Sequence, residues 1–383
     1  MTLAEIPDGW EWRNLGGVAG LKAACEFIDY LRIPVNEEER SKRQGPYPYY
    51  GANGQQGWID GFIFDEELVL LAEDGGFFFS TTRPASYRVS GKCWVNNHAH
   101  VLRPARDVHP DWLNACLAYT DYTPFIPEPV RPKLNQKNAK KIPILIPPLD
   151  EQRRIVARIE ELTRRSEEVR HLSLAREKEL DVLLQSAYNR MIDGAEWNPL
   201  SQVASLVRRG ISVTPEGGYE EMGIRSFGKG TFKKPILTGK EIGNKRIYRI
   251  HEGDLVFNNV FAWEGAIAVA QEEDQGRVGS HRFITYVPHE GVSTSEFLCH
   301  HFLSERGIED IRAASPGSAG RNRTLGLKKL EQINVPVPDY QEQKRFAEMA
   351  KRRRAIRREC ATIEKELKIF QSALLAKAFR GEL

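Results

Sequence analysis

Pro147-Pro148-Leu149-Asp150-Glu151-Gln152-Arg153-Arg154-Ile155-Val156-Ala157-Arg158 and Pro338-Asp339-Tyr340-Gln341-Glu342-Gln343-Lys344-Arg345-Phe346-Ala347-Glu348-Met349 state one pattern twice. Each follows a β-branched, proline-studded run, Ile142-Pro143-Ile144-Leu145-Ile146 in the first case and Ile333-Asn334-Val335-Pro336-Val337 in the second. Each opens a long charged stretch free of proline and glycine, from Asp150 to Asp193 and from Tyr340 to Arg380. Gln152 and Gln343 stand 191 residues apart in a chain of 383, so the chain is two copies of one unit.

The match extends outward. Gly9-Trp10-Glu11-Trp12-Arg13-Asn14-Leu15 aligns with Gly194-Ala195-Glu196-Trp197-Asn198-Pro199-Leu200, Asn97 to Val101 with Ser280 to Ile284, and Leu134 with Leu325. Each half reads as a variable mixed α and β domain, a proline-bounded strand and a long helix. The expected boundaries are 1–146, 147–193, 194–337 and 338–383. Short runs such as Phe77-Phe78-Phe79, Leu255-Val256-Phe257 and Ala266-Ile267-Ala268-Val269 read as strands between Gly- and Asn-rich turns. Pro110 to Tyr119 and Ser295 to Ser304 read as short helices, with caps near Asp111 and Ser293.

In the first long stretch Ile155, Ile159, Leu162, Val169, Leu180 and Leu183 follow three-four spacing, with Ser166, Ser173 and Arg176 between them. In the second, Phe346, Ile356, Ile363, Leu367 and Phe370 do so, interrupted by Arg353. That spacing predicts a coiled-coil seam. A helix of about 40 residues is about 60 Å long. Two such helices in one chain pair most economically antiparallel. The fold class expected is therefore α+β: two mixed domains joined by two long antiparallel helices, with a pseudo-twofold repeat.

Composition narrows the rest. The 55 basic and 52 acidic residues leave a formal charge of +3, which is no nucleic-acid signature by itself. Cys25, Cys93, Cys116, Cys299 and Cys360 are scattered and odd in number, as expected of reduced thiols in a reducing compartment. The N-terminus has no basic start followed by an apolar run, so no signal peptide is read there. Apolar stretches such as Leu68 to Ala72 are too short to span a bilayer. The expected setting is the cytoplasm.

Motifs of catalysis are missing. Phosphate-loop, Gly-x-Ser-x-Gly and His-Glu-x-x-His patterns do not occur, and Gly51 to Gly57 has the spacing of a turn. Asn198-Pro199-Leu200 lacks the second proline and the aromatic of an adenine methyltransferase site. Cys93, His98 and His100, like Cys299, His300 and His301, lack paired zinc spacing and are read as packing residues. No catalytic residue, metal or cofactor is assigned.

What both halves share instead is polar, basic loop chemistry. In the first, Lys42, Arg43, Gln55, Gln56, Arg83, Arg88, Arg131, Lys133 and Asn135 stand near glycines and prolines. In the second, Arg208, Arg209, Lys229, Lys233, Lys234, Asn258, Asn259, Arg321, Asn322 and Arg323 do. Arg, Asn and Gln can bond bidentately to purine edges, and Lys and Arg neutralise phosphates. These are the candidate DNA contacts. The basic helix Gln341–Arg380 offers either a nucleic-acid or acidic-partner face or a solvated exterior.

The chain resembles the specificity (S) subunit of type I restriction–modification systems. The resemblance is carried by Ile6-Pro7-Asp8-Gly9-Trp10-Glu11-Trp12-Arg13-Asn14-Leu15-Gly16, by the two Glu-Gln helix starts, and by the ending Gln371-Ser372-Ala373-Leu374-Leu375-Ala376-Lys377-Ala378-Phe379-Arg380-Gly381-Glu382-Leu383. It implies two target-recognition domains, each reading half of a split, asymmetric site in double-stranded DNA, with the paired helices as a ruler. It also implies docking of two methyltransferase (M) subunits and, through the complex, of restriction (R) subunits. Those partners would hold S-adenosylmethionine and ATP, methylate adenine and cut DNA, while the S subunit catalyses nothing. Two departures matter. Glu342 to Gln371 is shorter than Glu151 to Gln185, so the pseudo-twofold is imperfect. The two domains also differ outside the anchors, which predicts two different half-sites. A non-catalytic coiled-coil scaffold with two protein-binding domains is the competing expectation.

Overall fold

The structure, a computed structural model, describes residues 6–17, 20–80, 83–128, 130–317 and 323–383. It divides into two compact units: 1–171 with 363–383, and 172–362. Each unit holds one globular domain and a part of both long helices.

The first unit contains β1 (Glu11–Asn14), β2 (Cys25–Phe27), α1 (Glu37–Lys42), β3 (Tyr47–Gly51), β4 (Gly54–Ile59), β5 (Phe64–Asp65), β6 (Leu68–Ala72), β7 (Ser86–Val89), β8 (Lys92–Val95), β9 (Ala99–Pro104), α2 (Pro110–Ala118), α3 (Gln136–Ala139), β10 (Pro143–Ile146) and the start of α4 (Leu149–Ile192). The second contains β11 (Glu196–Pro199), α5 (Leu200–Val203), β12 (Ala204–Val207), β13 (Gly218–Ile224), β14 (Thr231–Thr238), α6 (Gly239–Ile242), β15 (Ile247–Arg249), β16 (Leu255–Asn258), β17 (Ile267–Val269), β18 (Val278–Ser280), β19 (Phe283–Pro288), α7 (Ser295–Leu303), α8 (Glu305–Ala313), α9 (Leu327–Glu331), β20 (Asn334–Val337) and most of α10 (Tyr340–Ala378).

The repeat runs deeper than the sequence anchors. The first unit has sheets of order β1-β10, β2-β9-β6-β7 and β4-β3-β8-β5; the second has β11-β20, β12-β19-β16-β17 and β14-β13-β18-β15. Every strand has its counterpart ten positions on. Even the exceptional parallel pairing recurs, β3 with β8 and β13 with β18. The strand expected at Phe77-Phe78-Phe79 is a turn instead, because the fully buried run Leu68–Ala72 just before it takes the strand position. Leu255–Phe257 and Ile267–Val269 do form strands. The short helices are capped by His109 and Thr294, each accepting from a first-turn amide, while Asp111 lies inside its helix.

The repeated glutamine explains the opening pattern. Gln152 is fully buried; its amide donates to Asp107 O (2.9 Å) and Pro147 O (2.7 Å), and its carbonyl accepts from His109 N (2.7 Å). Gln343, equally buried, donates to Val292 O (3.0 Å) and Pro338 O (2.9 Å) and accepts from Ser293 Oγ (2.8 Å) and Thr294 N (3.1 Å). In each unit one amide ties the end of the last strand, the entry to the short helix and the first turn of the long helix together. Only a side chain with both donors and an acceptor, at that depth, satisfies all three.

The long helices have 44 and 39 residues. In the second unit Arg353 donates to Asp181 (2.6 Å), Arg357 lies 3.1 Å from Glu177, Arg176 donates to Glu359 (3.3 Å) and Cys360 Sγ to Ser173 O (3.6 Å). Partner numbers fall as residue numbers rise, so the helices run antiparallel. In the first unit Ala378, at the end of α10, shares a core with Ile155 and Val156 at the start of α4. Phe379 stands 5.5 Å from Trp112, and Arg154 donates to Leu383 O.

Ile155 and Phe346 are buried in these seams, and Ile159, Leu162, Leu180, Ile356, Ile363 and Leu367 are half-buried. Val169, Leu183 and Phe370 are exposed, at 43%, 57% and 39%. Leu184 and Tyr188 take the buried places in the second unit, where a four-residue step from Leu180 leaves Leu183 on the flank. Ser166 takes the buried place near Val169, its hydroxyl satisfied by Leu162 O at 2.8 Å. Among the described residues no helix is long and apolar enough to cross a membrane.

Candidate nucleic-acid interface

Both units build the same backbone node at the end of a central strand. In the first, Glu73 N donates to His98 O (2.8 Å) and Leu134 N donates to Glu73 O (2.8 Å). In the second, Asn259 N donates to Arg282 O (2.8 Å) and Leu325 N to Asn259 O (2.7 Å). Each node joins three loops: the one after β6 or β16, the one before β9 or β19, and the one before α3 or α9. A fourth leans on it. Asn53, in the β3–β4 turn, donates to Gly75 O (2.9 Å), and Phe227 N, in the β13–β14 turn, donates to Glu264 O (2.7 Å). The frame therefore gathers polar loops that lie far apart in sequence.

Beneath the first node, His100 is buried between Asp29 Oδ2 (2.6 Å) and Leu134 O (2.7 Å). The carbonyl of Leu134 can only accept, so Nε2 donates to it. Burial pushes the Asp29 carboxyl up, but the bonds from His100 and Val101 N and the charge of Arg32 outweigh it and hold it below its ordinary value. Gln136 also donates to Asp29 (3.0 Å), and Arg32 donates to Glu73 (3.1 Å). Asp29, Glu73 and His100 could surround an ion by distance alone. Their ligand atoms are instead engaged by protein groups, so the cluster supports the loops.

The candidate contacts sort into two groups. Those at or near the first node are Gln56, accepting from Asn96 (3.1 Å), Lys133, 3.3 Å from Glu73, the exposed Arg131, and Asn135, which caps α3. Arg83, on the loop after β6, stacks over Phe77 (4.8 Å). Gln55 is exposed on β4 and donates to Gly57 O (3.1 Å). Lys42, Arg43 and Arg88 are held elsewhere: Lys42 by Glu38 (2.7 Å), Arg43 by Asp60 (2.9 Å) and the Trp94 face, Arg88 by Glu67 and Asp111.

In the second unit, Asn258, Asn259 and Arg323 stand at the node, with Lys229 on the β13–β14 turn leaning against it. Arg323 covers Trp263 at 5.2 Å, and the Oδ1 of Asn259 is buried with no protein partner. Arg209 is instead committed to the buried Asp254 (2.7 and 3.1 Å), Lys234 to Glu221 (3.0 Å), and Arg208 lies over Tyr248 (5.9 Å). Lys233 is exposed on β14. Arg321 and Asn322 lie outside the described residues. Sequence reasoning missed Phe227, which stands in a Gly-rich turn beside Lys229, and Trp263, whose cation Arg323 lies far along the chain.

The histidines considered as metal ligands have other roles. His98 Nδ1 lies 2.6 Å from Asp74, and Cys93 is fully buried in β8. His301 Nδ1 lies 2.7 Å from Tyr188 OH, and His300 packs 5.1 Å from Phe346.

The comparisons agree with this architecture. Residues 7–174 match the family model of the type I restriction modification DNA specificity domain. The "putative type I restriction enzyme specificity subunit" of Haemophilus influenzae is 35% identical over 153 residues, 40% of this chain. The match spans 37% of that curated relative's own length. Three solved structures share the fold end to end. The HsdS subunit from Thermoanaerobacter tengcongensis has 20% identity and TM-score 0.52, covering 100% of this chain and 99% of its own. The type I restriction-modification S subunit from M. genitalium has 13% identity and TM-score 0.56, covering 99% and 98%. A chain from a study of assembly and conformational transition of the type I R-M system has 19% identity and TM-score 0.58, covering 99% and 100%.

Proposed function

We propose that this chain is the DNA-recognition subunit of a type I restriction–modification complex. Its two domains each read one half of a bipartite, asymmetric site in double-stranded DNA. The long helices act as a ruler for the unread spacer and dock two methyltransferase subunits, with restriction subunits joining through the complex. S-adenosylmethionine and ATP are held by those partners, and this chain binds and orients without catalysing. It works in the cytoplasm.

The observation that carries the reading is the duplicated node: one frame, two sets of loops. The shared frame explains a common way of meeting a duplex. The unlike loops, Asn53 and Glu73 in one unit and Phe227 and Asn259 in the other, explain an asymmetric target. Methylome sequencing of a host carrying the chain with its methyltransferase tests it. The expected result is one bipartite adenine motif with unlike halves. No bipartite motif in the presence of an intact methyltransferase would overturn it. Binding that ignores salt would favour a protein scaffold instead, since phosphate contacts release counterions.

A further inference from the structure

We infer that Phe227 is a base-stacking residue whose ring inserts against a base step of the half-site read by the second unit, an inference that rests on the DNA-reading role proposed above. Among the described residues Phe227 is the non-glycine with positive φ, at 62°. A non-glycine residue there is strained. Gly228 (φ +63°) and Gly230 (φ +79°) share the turn, and Gly228 has a packing reason, because a Cβ would meet Leu303 Cδ1 at 2.9 Å. No such reason holds for the phenylalanine. Its side chain is 74% exposed, and a glycine would relieve the backbone.

The turn is nevertheless fixed. Phe227 N donates to Glu264 O (2.7 Å), Gly228 N to Gly265 O (2.9 Å) and Ser226 Oγ to Glu264 Oε2 (3.1 Å). Glu264 follows Trp263, the ring under Arg323, so Phe227 rests on the loop that carries the candidate contacts. Lys229 Nζ stands 5.8 Å from the Phe227 ring, and Lys233 is exposed on the strand that follows. A bare ring on a rigid turn with cations beside it matches bases stacked inside a phosphate backbone. The first unit puts the polar Asn53 on the equivalent turn, so the two halves would be met differently at this place.

The test uses the complex of this chain with its methyltransferase on duplexes bearing its own methylated motif. Arg323→Ala first assigns the half-site of the second unit. 2-Aminopurine is then walked through that half-site, away from the methylated adenine. Wild type should raise emission at one step. Phe227→Ala should abolish that rise, weaken binding about tenfold or more, and leave the thermal midpoint unchanged or higher, whereas Phe227→Trp should retain the signal. Equal affinity and equal emission in wild type and Phe227→Ala would overturn the inference while leaving DNA reading intact. A lowered midpoint in Phe227→Ala would assign the ring to the fold and overturn it too. If the wild-type complex methylates no motif, DNA reading fails and the inference with it.

Discussion

At the scale of single residues, the buried glutamines are the clearest commitments of the chain. Gln152→Ala would strand His109 N, Asp107 O and Pro147 O in the first unit, each at about 1–3 kcal/mol. A drop of several degrees in thermal midpoint is expected, and Gln152→Glu should not restore it, because a carboxylate cannot donate to the two carbonyls. His300 and His301 make a second prediction. Burial pushes both imidazoles below their ordinary 6.5, helped by Arg353 beside His300 and Arg306 beside His301, to about 4 and about 3. Below pH 6.5 the unfolded chain takes up protons that the folded unit refuses. Stability is therefore full above that pH and falls as pH drops toward 4. Denaturant midpoints at pH 7 and pH 5 should differ less in His300→Gln than in wild type. The sequence displayed Gln152 and Gln343 as a repeat, but not their reason, because their partners, Ser293 Oγ apart, are backbone atoms that any residue would supply. It displayed Arg88 and Arg209 as free cations; their carboxylate partners, Asp111 and Asp254, are 23 and 45 residues away.

At the scale of elements, helices were far more legible than strands. A proline-free three-four pattern names a helix of 44 or 39 residues on local grounds alone. It does not name the register, so Leu183 looked as good as Leu184. The strands have three to eight residues apart from the two-residue β5, and their order in the sheet depends on partners far along the chain. The ten-for-ten correspondence was therefore hidden where side chains diverged. Arg83 and Arg323 belong to this scale, since each stacks on an aromatic of the loop following an equivalent strand. Arg83→Ala and Arg323→Ala should each relax one half-site and spare the other, read as degenerate bases in the methylated motif. Equal loss in both halves would make them general phosphate contacts.

At the scale of the whole molecule, the proposed function requires two reading units on one frame, with the helices setting the distance between their half-sites. Unit boundaries fall after His171 in α4 and after Thr362 in α10. Seven residues inserted at both places leave the described interior of each unit untouched and add about 10 Å of helix, about three base pairs of DNA. The decisive measurement is the methylome of a host carrying that doubly extended chain with its methyltransferase. Both half-sites are expected unchanged, with a longer unread spacer between them. An unchanged spacer, with methylation intact, would contradict it.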